Sequence, residues 1–192
     1  MRTILVKHGE TDWEIQKKLI GFSDEPLNER GIKQAELLAK RLSRENFTAV
    51  YSSPLQRASY TAELIAKECN LKVVYYDDLK EFNFGKIEGM LYKDLVDFHT
   101  TFVKAWEIDP TECRAPRGEV FFEFQARVWK CVGGILKASY PNVVVIVCHV
   151  LAVRALICKT IGLALSNFHK LTLKTPSLSY LDFDGKDLIL TL

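Results

Sequence analysis

The sequence predicts a three-layer α/β/α sandwich built on a mainly parallel sheet with an antiparallel edge. Three observations carry that reading. Apolar runs alternate with stretches of helical spacing along most of the chain, the order that encloses a parallel sheet between helices. The runs Ile4-Leu5-Val6 and Val143-Val144-Val145-Ile146-Val147-Cys148 are apolar without interruption, as buried strands are. The last stretch, Leu171 to Leu192, alternates in two runs around Asp184-Gly185, a hairpin dipeptide, and supplies the antiparallel edge. With 192 residues and 48% hydrophobic content, one domain spanning 1–192 with a substantial core is expected.

Arg2 to Val6 is the first strand, followed by a polar loop to Pro26 that is too long for a simple connector. Loops of that kind often carry function. Asn28 caps a helix running to about Glu45, because Ala35, Leu38, Ala39 and Leu42 repeat at helical spacing and the opposite face is charged. Ala49 to Tyr51 is a short second strand. Ser53-Pro54 then forms a cap and first-turn pair for a helix carrying Leu55, Ala58, Ala62, Leu64 and Ile65, which puts Arg57 in its first turn near a strand exit. Leu71 to Tyr76 is the third strand, and Asp77 to Met90 reads as loop. Two helices, about Tyr92 to Glu107 and Glu119 to Ala138, are separated by the break Pro110 to Gly118 and are expected to cover the sheet edge. Pro141-Asn142 turns the chain into the strand Val143 to Cys148, and a helix bearing Ala152, Ala155, Leu156 and Ile161 follows.

Charged residues make up 26% of the chain with both signs interleaved, and a net charge of +2 does not make a polyanion-binding surface, so no nucleic acid partner is expected. Five cysteines, an odd number without metal-site spacing, read as free thiols in a reducing cytoplasm. The chain starts directly in a strand, and no apolar stretch is long enough to span a bilayer, so no membrane partner is expected.

The chemistry-bearing residues gather at strand exits, where open parallel sheets place their ligands. His8 leaves the first strand between Lys7 and Gly9, which set a fixed positive charge and an unobstructed backbone beside one imidazole, features that hold a phosphate. His149 repeats the placement after a separate strand. A buried structural histidine would instead have apolar neighbours on both sides and no second copy. Arg57 alone is an ordinary solvated helix residue, but beside a helix start it adds a bidentate donor for an anion. Glu81 alone is also unremarked, yet Phe82 and Phe84 can desolvate it and raise its pKa, as a general acid requires. Glu88 competes for that role.

These residues resemble the opening and signature of the histidine phosphatase superfamily, in the branch of cofactor-dependent phosphoglycerate mutases and related small phosphatases. The family opens Leu-Val-Arg-His-Gly-Glu-Thr, and this chain has Leu5-Val6-Lys7-His8-Gly9-Glu10-Thr11. The likeness continues through Asp24-Glu25-Pro26-Leu27, Gly31, Gln34-Ala35, Tyr51-Ser52-Ser53-Pro54-Leu55-Gln56-Arg57-Ala58 and Thr61-Ala62. It ends through Glu81, Gly85, Glu88-Gly89, Gly118-Glu119, His149 and Arg154-Ala155-Leu156, covering almost the whole chain. The resemblance implies a phosphomonoesterase in which neutral His8 attacks phosphorus, Glu81 protonates the leaving oxygen, and Lys7, Arg57 and protonated His149 neutralise the remaining oxygens. Gly21, Glu14 and Val150 complete the expected substrate-binding set. No metal and no cofactor are required, the substrate is a small phosphorylated metabolite such as a phosphoserine or a phosphoglycerate, and a homodimer or a heterodimer with a related chain is implied.

Three positions depart from the family pattern. Lys7 replaces an arginine, trading a planar fork for a point charge. Glu14 stands where an asparagine would donate to phosphate, and a carboxylate about 5 Å from a full phosphate charge is repelled by roughly 3 kcal/mol at an effective dielectric near 20. Val150 replaces a glycine. These departures keep a second reading open, a weakened paralogue that serves as partner subunit of an active phosphatase. A mutase is a third, disfavoured because the region between Gly89 and Gly118 is short and the chain stops soon after its final strand, leaving little to exclude water. Leaving-group specificity is expected from Phe22, Phe84 and the helices between Leu91 and Trp129, with Phe102 and Trp106 read as core.

Overall fold

The computed structural model describes residues 1–191, so Leu192, the end of the second terminal run, lies outside the described residues. Six strands form one sheet: β1 (Arg2–Lys7), β2 (Ala49–Ser52), β3 (Val73–Tyr75), β4 (Val144–Cys148), β5 (Ser177–Phe183) and β6 (Leu188–Thr191). The order across the sheet is β3-β2-β4-β1-β5-β6. β3, β2, β4 and β1 are mutually parallel, while β5 and β6 add an antiparallel edge beside β1. The mainly parallel sheet with its antiparallel edge is therefore present. Seven helices accompany it among the described residues: α1 (Asp12–Ile15), α2 (Glu29–Leu42), α3 (Gln56–Glu68), α4 (Tyr92–Phe98), α5 (Thr100–Ile108), α6 (Phe121–Ser139) and α7 (Val150–Ile161).

The two central strands divide their side chains between the two faces with a period of two. Ile4, Val6, Val145 and Val147 meet Leu38, Leu42, Ala58, Ala62 and Ile65 of α2 and α3. Leu5, Val144, Ile146 and Cys148 face the other way, against Phe124, Val128, Val132 and Leu136 of α6 and Ala152, Val153 and Leu156 of α7. All eight strand side chains are fully buried. Each such burial is worth about 1.5–3 kcal/mol, so β1 and β4 are the most firmly held part of the sheet. The chain leaves β1 towards β2 and β3 through α2 and α3, and leaves β4 in the opposite direction, towards β5, through α7. The crevice at which these directions diverge lies at the ends of β1 and β4, the position at which open α/β sheets bind ligands.

Several expectations are corrected. The long polar loop after β1 contains α1, nucleated by a capping box in which the Thr11 hydroxyl accepts from the Glu14 backbone and the Glu14 carboxylate accepts from the Thr11 N–H. α3 starts at Gln56 rather than at Ser53-Pro54; its first N–H donates to Asp24 at 2.6 Å, while the Ser53 hydroxyl accepts from the Leu55 N–H just ahead of it. The helix expected over Tyr92 to Glu107 breaks at His99 (φ −134°, ψ 40°), where the Thr100 hydroxyl donates to the Val96 carbonyl and competes with the helical ladder. α6 covers a face of the sheet and not its edge, because its apolar stripe packs on Leu5, Val144 and Ile146. Leu71 closes the end of α3 through its N–H to Ala66, so β3 is confined to Val73–Tyr75. Residues Leu165–Lys170 form a 3-10 turn, and β5 begins only at Ser177.

The loop carrying His8 is pressed against the start of α2. A Cβ at Gly31 would stand 2.1 Å from the Glu10 carbonyl oxygen, and one at Gly9 would stand 2.4 Å from the Gly31 carbonyl oxygen. Both obstacles are backbone and cannot rotate away. Gly31→Ala is therefore expected to lower stability in urea denaturation by at least about 2 kcal/mol, the scale of an overpacked site, and to displace the segment that follows β1.

Candidate active site

Parallel pairing of β1 with β4 sets Lys7 opposite Cys148, so the next residues, His8 and His149, emerge side by side. The His8 N–H donates to the Cys148 carbonyl at 3.3 Å, extending the ladder by one step. The two imidazole centroids are 5.1 Å apart at 63°. Both residues are buried. Nδ1 of His8 lies 2.7 Å from the Gly9 carbonyl oxygen, which can only accept, so Nδ1 carries the proton and Nε2 presents its lone pair. Burial, reinforced by the charges of Lys7 and Arg57, holds His8 well below the usual imidazole range and keeps it neutral.

His149 caps α7 with an extended backbone, and its Nε2 is 2.8 Å from the Ser53 hydroxyl. Its Nδ1 is buried without a partner among the described residues. An unmet buried polar group costs about 1–3 kcal/mol, which a ligand can recover. Burial, followed by the charges of Arg57 and Lys7 and by His8, also pushes His149 well below the usual range. In the free pocket it is therefore a neutral imidazole, and the imidazolium anticipated at this position is not present there.

Arg57, the second residue of α3, is buried, and its guanidinium donates to the carbonyls of Ser23 at 2.9 Å and Gly21 at 2.7 Å. Gly21 supports Arg57 through its carbonyl and is not among the residues that line the histidine cavity. It must be glycine for a steric reason, since a Cβ there would stand 2.4 Å from the Phe82 carbonyl oxygen.

Glu81 has both oxygens on backbone donors, Oε1 from Phe82 N–H at 2.9 Å and Oε2 from Leu151 N–H at 3.0 Å. Those bonds and the nearby arginines favour the carboxylate, but burial outweighs them and raises its pKa. Phe82, its neighbour, is the centre of an aromatic cluster with Phe84, Trp106, Phe121 and Phe124 at centroid distances of 4.9 to 5.6 Å. The competitor Glu88 is spent on structure. Its oxygens accept from the N–H groups of Phe22, Ser23 and Phe84 and from the Ser23 hydroxyl, fixing the loop that in turn holds Arg57.

The departures from the family pattern meet one another. Lys7 Nζ donates to Glu14 Oε1 at 2.5 Å and to the Thr175 hydroxyl at 2.5 Å. Its side chain is almost fully enclosed, and that of Glu14 is 26% exposed. Glu14 is thus neither turned away nor left to repel an anion alone; it neutralises the lysine beside His8. A cavity of about 210 Å³ is lined by His8, Glu14, Lys18, Arg57, Glu81 and Val150, together with Leu19, Ile20, Phe84 and Leu151. Lys7 and His149 lie behind this wall. Among the described residues no three His, Cys, Asp or Glu side chains are grouped to hold a metal ion. A larger surface hollow of about 820 Å³, bounded by Phe98, Thr101, Phe102, Asp109 and Arg114, contains none of these groups.

Four residues that position the site were not singled out for it from sequence. Ser53, read as a helix cap, accepts from the Leu55 N–H just ahead of α3 at 3.3 Å and also meets His149. Thr175, which holds Lys7, is 168 positions away from it and gives no local signal. Arg127 of α6 donates to the carbonyls of Asp78, Lys80 and Glu81 and pairs with Glu119 at 2.8 Å, clamping the Glu81 segment. Leu151 supplies the N–H that holds Glu81, a role no side-chain pattern can reveal.

This geometry sets a neutral strand-exit imidazole beside a second histidine and a buried carboxyl. The histidine phosphatase superfamily (branch 1) matches residues 3–192, and the chain belongs to that family. Phosphoserine phosphatase 1 of Hydrogenobacter thermophilus is 35% identical over 168 residues, covering 88% of this chain and 80% of that protein. A probable phosphoglycerate mutase of Yersinia pestis is 32% identical over 183 residues, covering 95% of this chain and 85% of that protein. The crystal structure of the alpha-ribazole phosphatase from Shigella flexneri superposes with a TM-score of 0.91 at 29% identity, covering 100% of this chain and 95% of that one.

The two lowered histidines make stability depend on pH. The unfolded chain takes up protons as pH falls past about 6.5 while the folded chain does not, so stability is lost on acidification. For His149 the loss between pH 7.5 and 5.5 reaches at most about 1.4 kcal/mol, the limit set by the unfolded imidazole. Replacing it with glutamine, which cannot titrate, should make the variant's unfolding free energy gain on the wild type by up to that amount over the same interval, measured by urea melts at the two pH values.

Proposed function

We propose that this phosphatase hydrolyses small organic phosphomonoesters through a phosphohistidine formed on His8. The observation that carries the reading is the Nδ1 to Gly9 contact at 2.7 Å, which commits the ring's proton to one side and leaves Nε2 as the nucleophile. In the first half-reaction Nε2 bonds to phosphorus as the ester P–O bond breaks, and the leaving oxygen takes the proton of Glu81. In the second, Glu81 removes a proton from water, the water oxygen bonds to phosphorus, and the P–N bond breaks to release inorganic phosphate. Arg57 meets the non-bridging oxygens, where a loose transition state keeps its charge, at the cavity wall, and His149 and, once Glu14 yields, Lys7 act on them from behind that wall. The cycle needs no metal and no cofactor, because these side chains supply the charge and the proton transfers.

The chain is taken to act in the cytoplasm, in keeping with its five unpaired cysteines, and as a dimer with itself or with a related chain. Among the described residues no helix is long and apolar enough to cross a membrane. The phosphoserine and phosphoglycerate named for relatives are the first candidates for its substrate class. The Lys7–Glu14 pair favours a second reading alongside, a subunit of reduced activity, because it removes a free cation from beside the nucleophile.

His8→Ala is expected to abolish hydrolysis of p-nitrophenyl phosphate while leaving the fold unchanged by circular dichroism; retained turnover would remove His8 as nucleophile. Glu81→Gln should lower kcat/KM by about 10²–10⁴ for alkyl esters and by much less for p-nitrophenyl phosphate, whose leaving group needs no proton, while kcat falls for both because Glu81 also activates the water. Because Glu81 must be protonated, wild-type kcat/KM should fall as pH rises through its elevated pKa, and the glutamine variant should lack that limb. Converting Lys7 to arginine and Glu14 to asparagine together should raise turnover by about tenfold or more, if the pair detunes the site. An unchanged rate would show that it does not.

A further inference from the structure

The His8 cavity adjoins a second one of about 180 Å³, and Leu19, Phe84 and Leu151 belong to the walls of both. The rest of the second cavity comes from α4, α5 and the turn before β5, chiefly Leu95, Phe102, Val103, Trp106 and Phe168. None of its lining residues is charged. Even Tyr92 at its edge turns its hydroxyl outward to Glu107 at 2.8 Å. Phe102 and Trp106, read from sequence as core, are only partly buried and form part of this wall.

The position of this annex relative to the acid gives it a chemical meaning. A general acid must touch the leaving oxygen, so the leaving group departs on the Glu81 side of the phosphorus. Leu151 holds the Glu81 carboxyl with its N–H and lines the annex with its side chain. Phe84, three residues after Glu81, also lines the annex, while its N–H donates to Glu88. The segment Lys18–Leu19, paired to Met90 and Leu91, closes the top. Leu19, Phe84 and Leu151 stand between the two cavities, so an alcohol leaving past Glu81 would reach the apolar chamber by passing over Leu151 and Phe84. A void of about 150 Å³ lined by similar residues stays dry and accepts a benzene ring, so this one is large enough for an aromatic or branched hydrocarbon group. The ammonium and carboxylate of a short polar substrate would find no partner there and would lose solvation on entering.

We infer that the preferred substrate is a phosphomonoester whose alcohol carries an apolar, ring-sized group, seated in the chamber formed by Phe84, Phe102, Val103, Trp106, Leu151 and Phe168. The inference rests on the phosphomonoesterase reading above and sets an apolar alcohol ahead of the phosphoserine and phosphoglycerate taken there as first candidates.

The test compares 3-phenylpropyl phosphate with propyl phosphate, two esters whose alcohols are equally poor leaving groups and differ only in the ring. With the wild-type protein, kcat/KM should be about 10- to 100-fold higher for the phenylpropyl ester. Val103→Phe, which fills the chamber, should shrink that ratio towards one. A wild-type ratio within about twofold of unity overturns the chamber as a specificity site while leaving the phosphatase reading intact. If neither ester is hydrolysed, calorimetric binding of the same two esters to the wild-type protein separates the claims. Tighter binding of the phenylpropyl ester then supports the chamber and removes the catalytic reading, whereas equal binding, or none, overturns the chamber as well.

Discussion

The rest of the site hangs on the parallel ladder between β1 and β4. Because Lys7 pairs with Cys148, the first residue beyond each strand is a histidine, and the two rings meet without any loop having to search for the geometry. A one-residue slip would turn Leu5 and Ile146 from one helix layer to the other and separate the imidazoles. The same apolar contacts that hold the two strands therefore set the distance on which the chemistry depends. Burying two imidazoles, a lysine, an arginine and a carboxyl in one place is possible because each is given a specific partner or is kept neutral. Gly9 accepts from His8, Ser53 meets His149, Gly21 and Ser23 accept from Arg57, and two backbone N–H groups hold Glu81. The exception, Nδ1 of His149, is the group a bound phosphate oxygen would complete.

The pocket also shows two unfavourable substitutions compensating. A lysine in place of an arginine loses a fork, and a glutamate in place of an asparagine loses a donor, but together they make a short ion pair anchored by Thr175. Its capping-box contact ties Glu14 to the start of α1, so freeing Lys7 for an anion means loosening the first turn of that helix. The cations that line the cavity are Arg57 and Lys18, with the Lys7–Glu14 pair at its edge. Separating such a pair is costly when one partner is enclosed, which makes phosphate affinity in this pocket a competition between an internal carboxylate and an external anion.

Helix and strand assignments were largely legible because they depend on local spacing. The uninterrupted apolar run Ile4, Leu5 and Val6, the cap Asn28, and the stripe Ala35, Leu38, Ala39, Leu42 need no partner to be read. The capping box Thr11-Asp12-Trp13-Glu14 was equally local and was still passed over, because Glu14 was weighed only against the phosphate. The break at His99 could not be read so easily, since it depends on a threonine hydroxyl choosing a backbone carbonyl over solvent. Likewise, Glu81 and Glu88 are similar glutamates in one aromatic loop, and only their hydrogen-bond partners tell a poised acid from a structural brace.

By itself the sequence determined the order of the elements, the two-faced strands and which side chains stand at the strand exits, because periodicity and backbone propensity act over a few residues. Tertiary structure alone decided what those side chains touch. Thr175 reaching Lys7, Ser53 reaching His149, Arg127 bracketing Glu81, and Phe102 and Trp106 walling a chamber beside the histidines all join residues distant in sequence. Their contacts follow from how the layers pack, and desolvation, which sets the charge of every group in the pocket, exists only once they have.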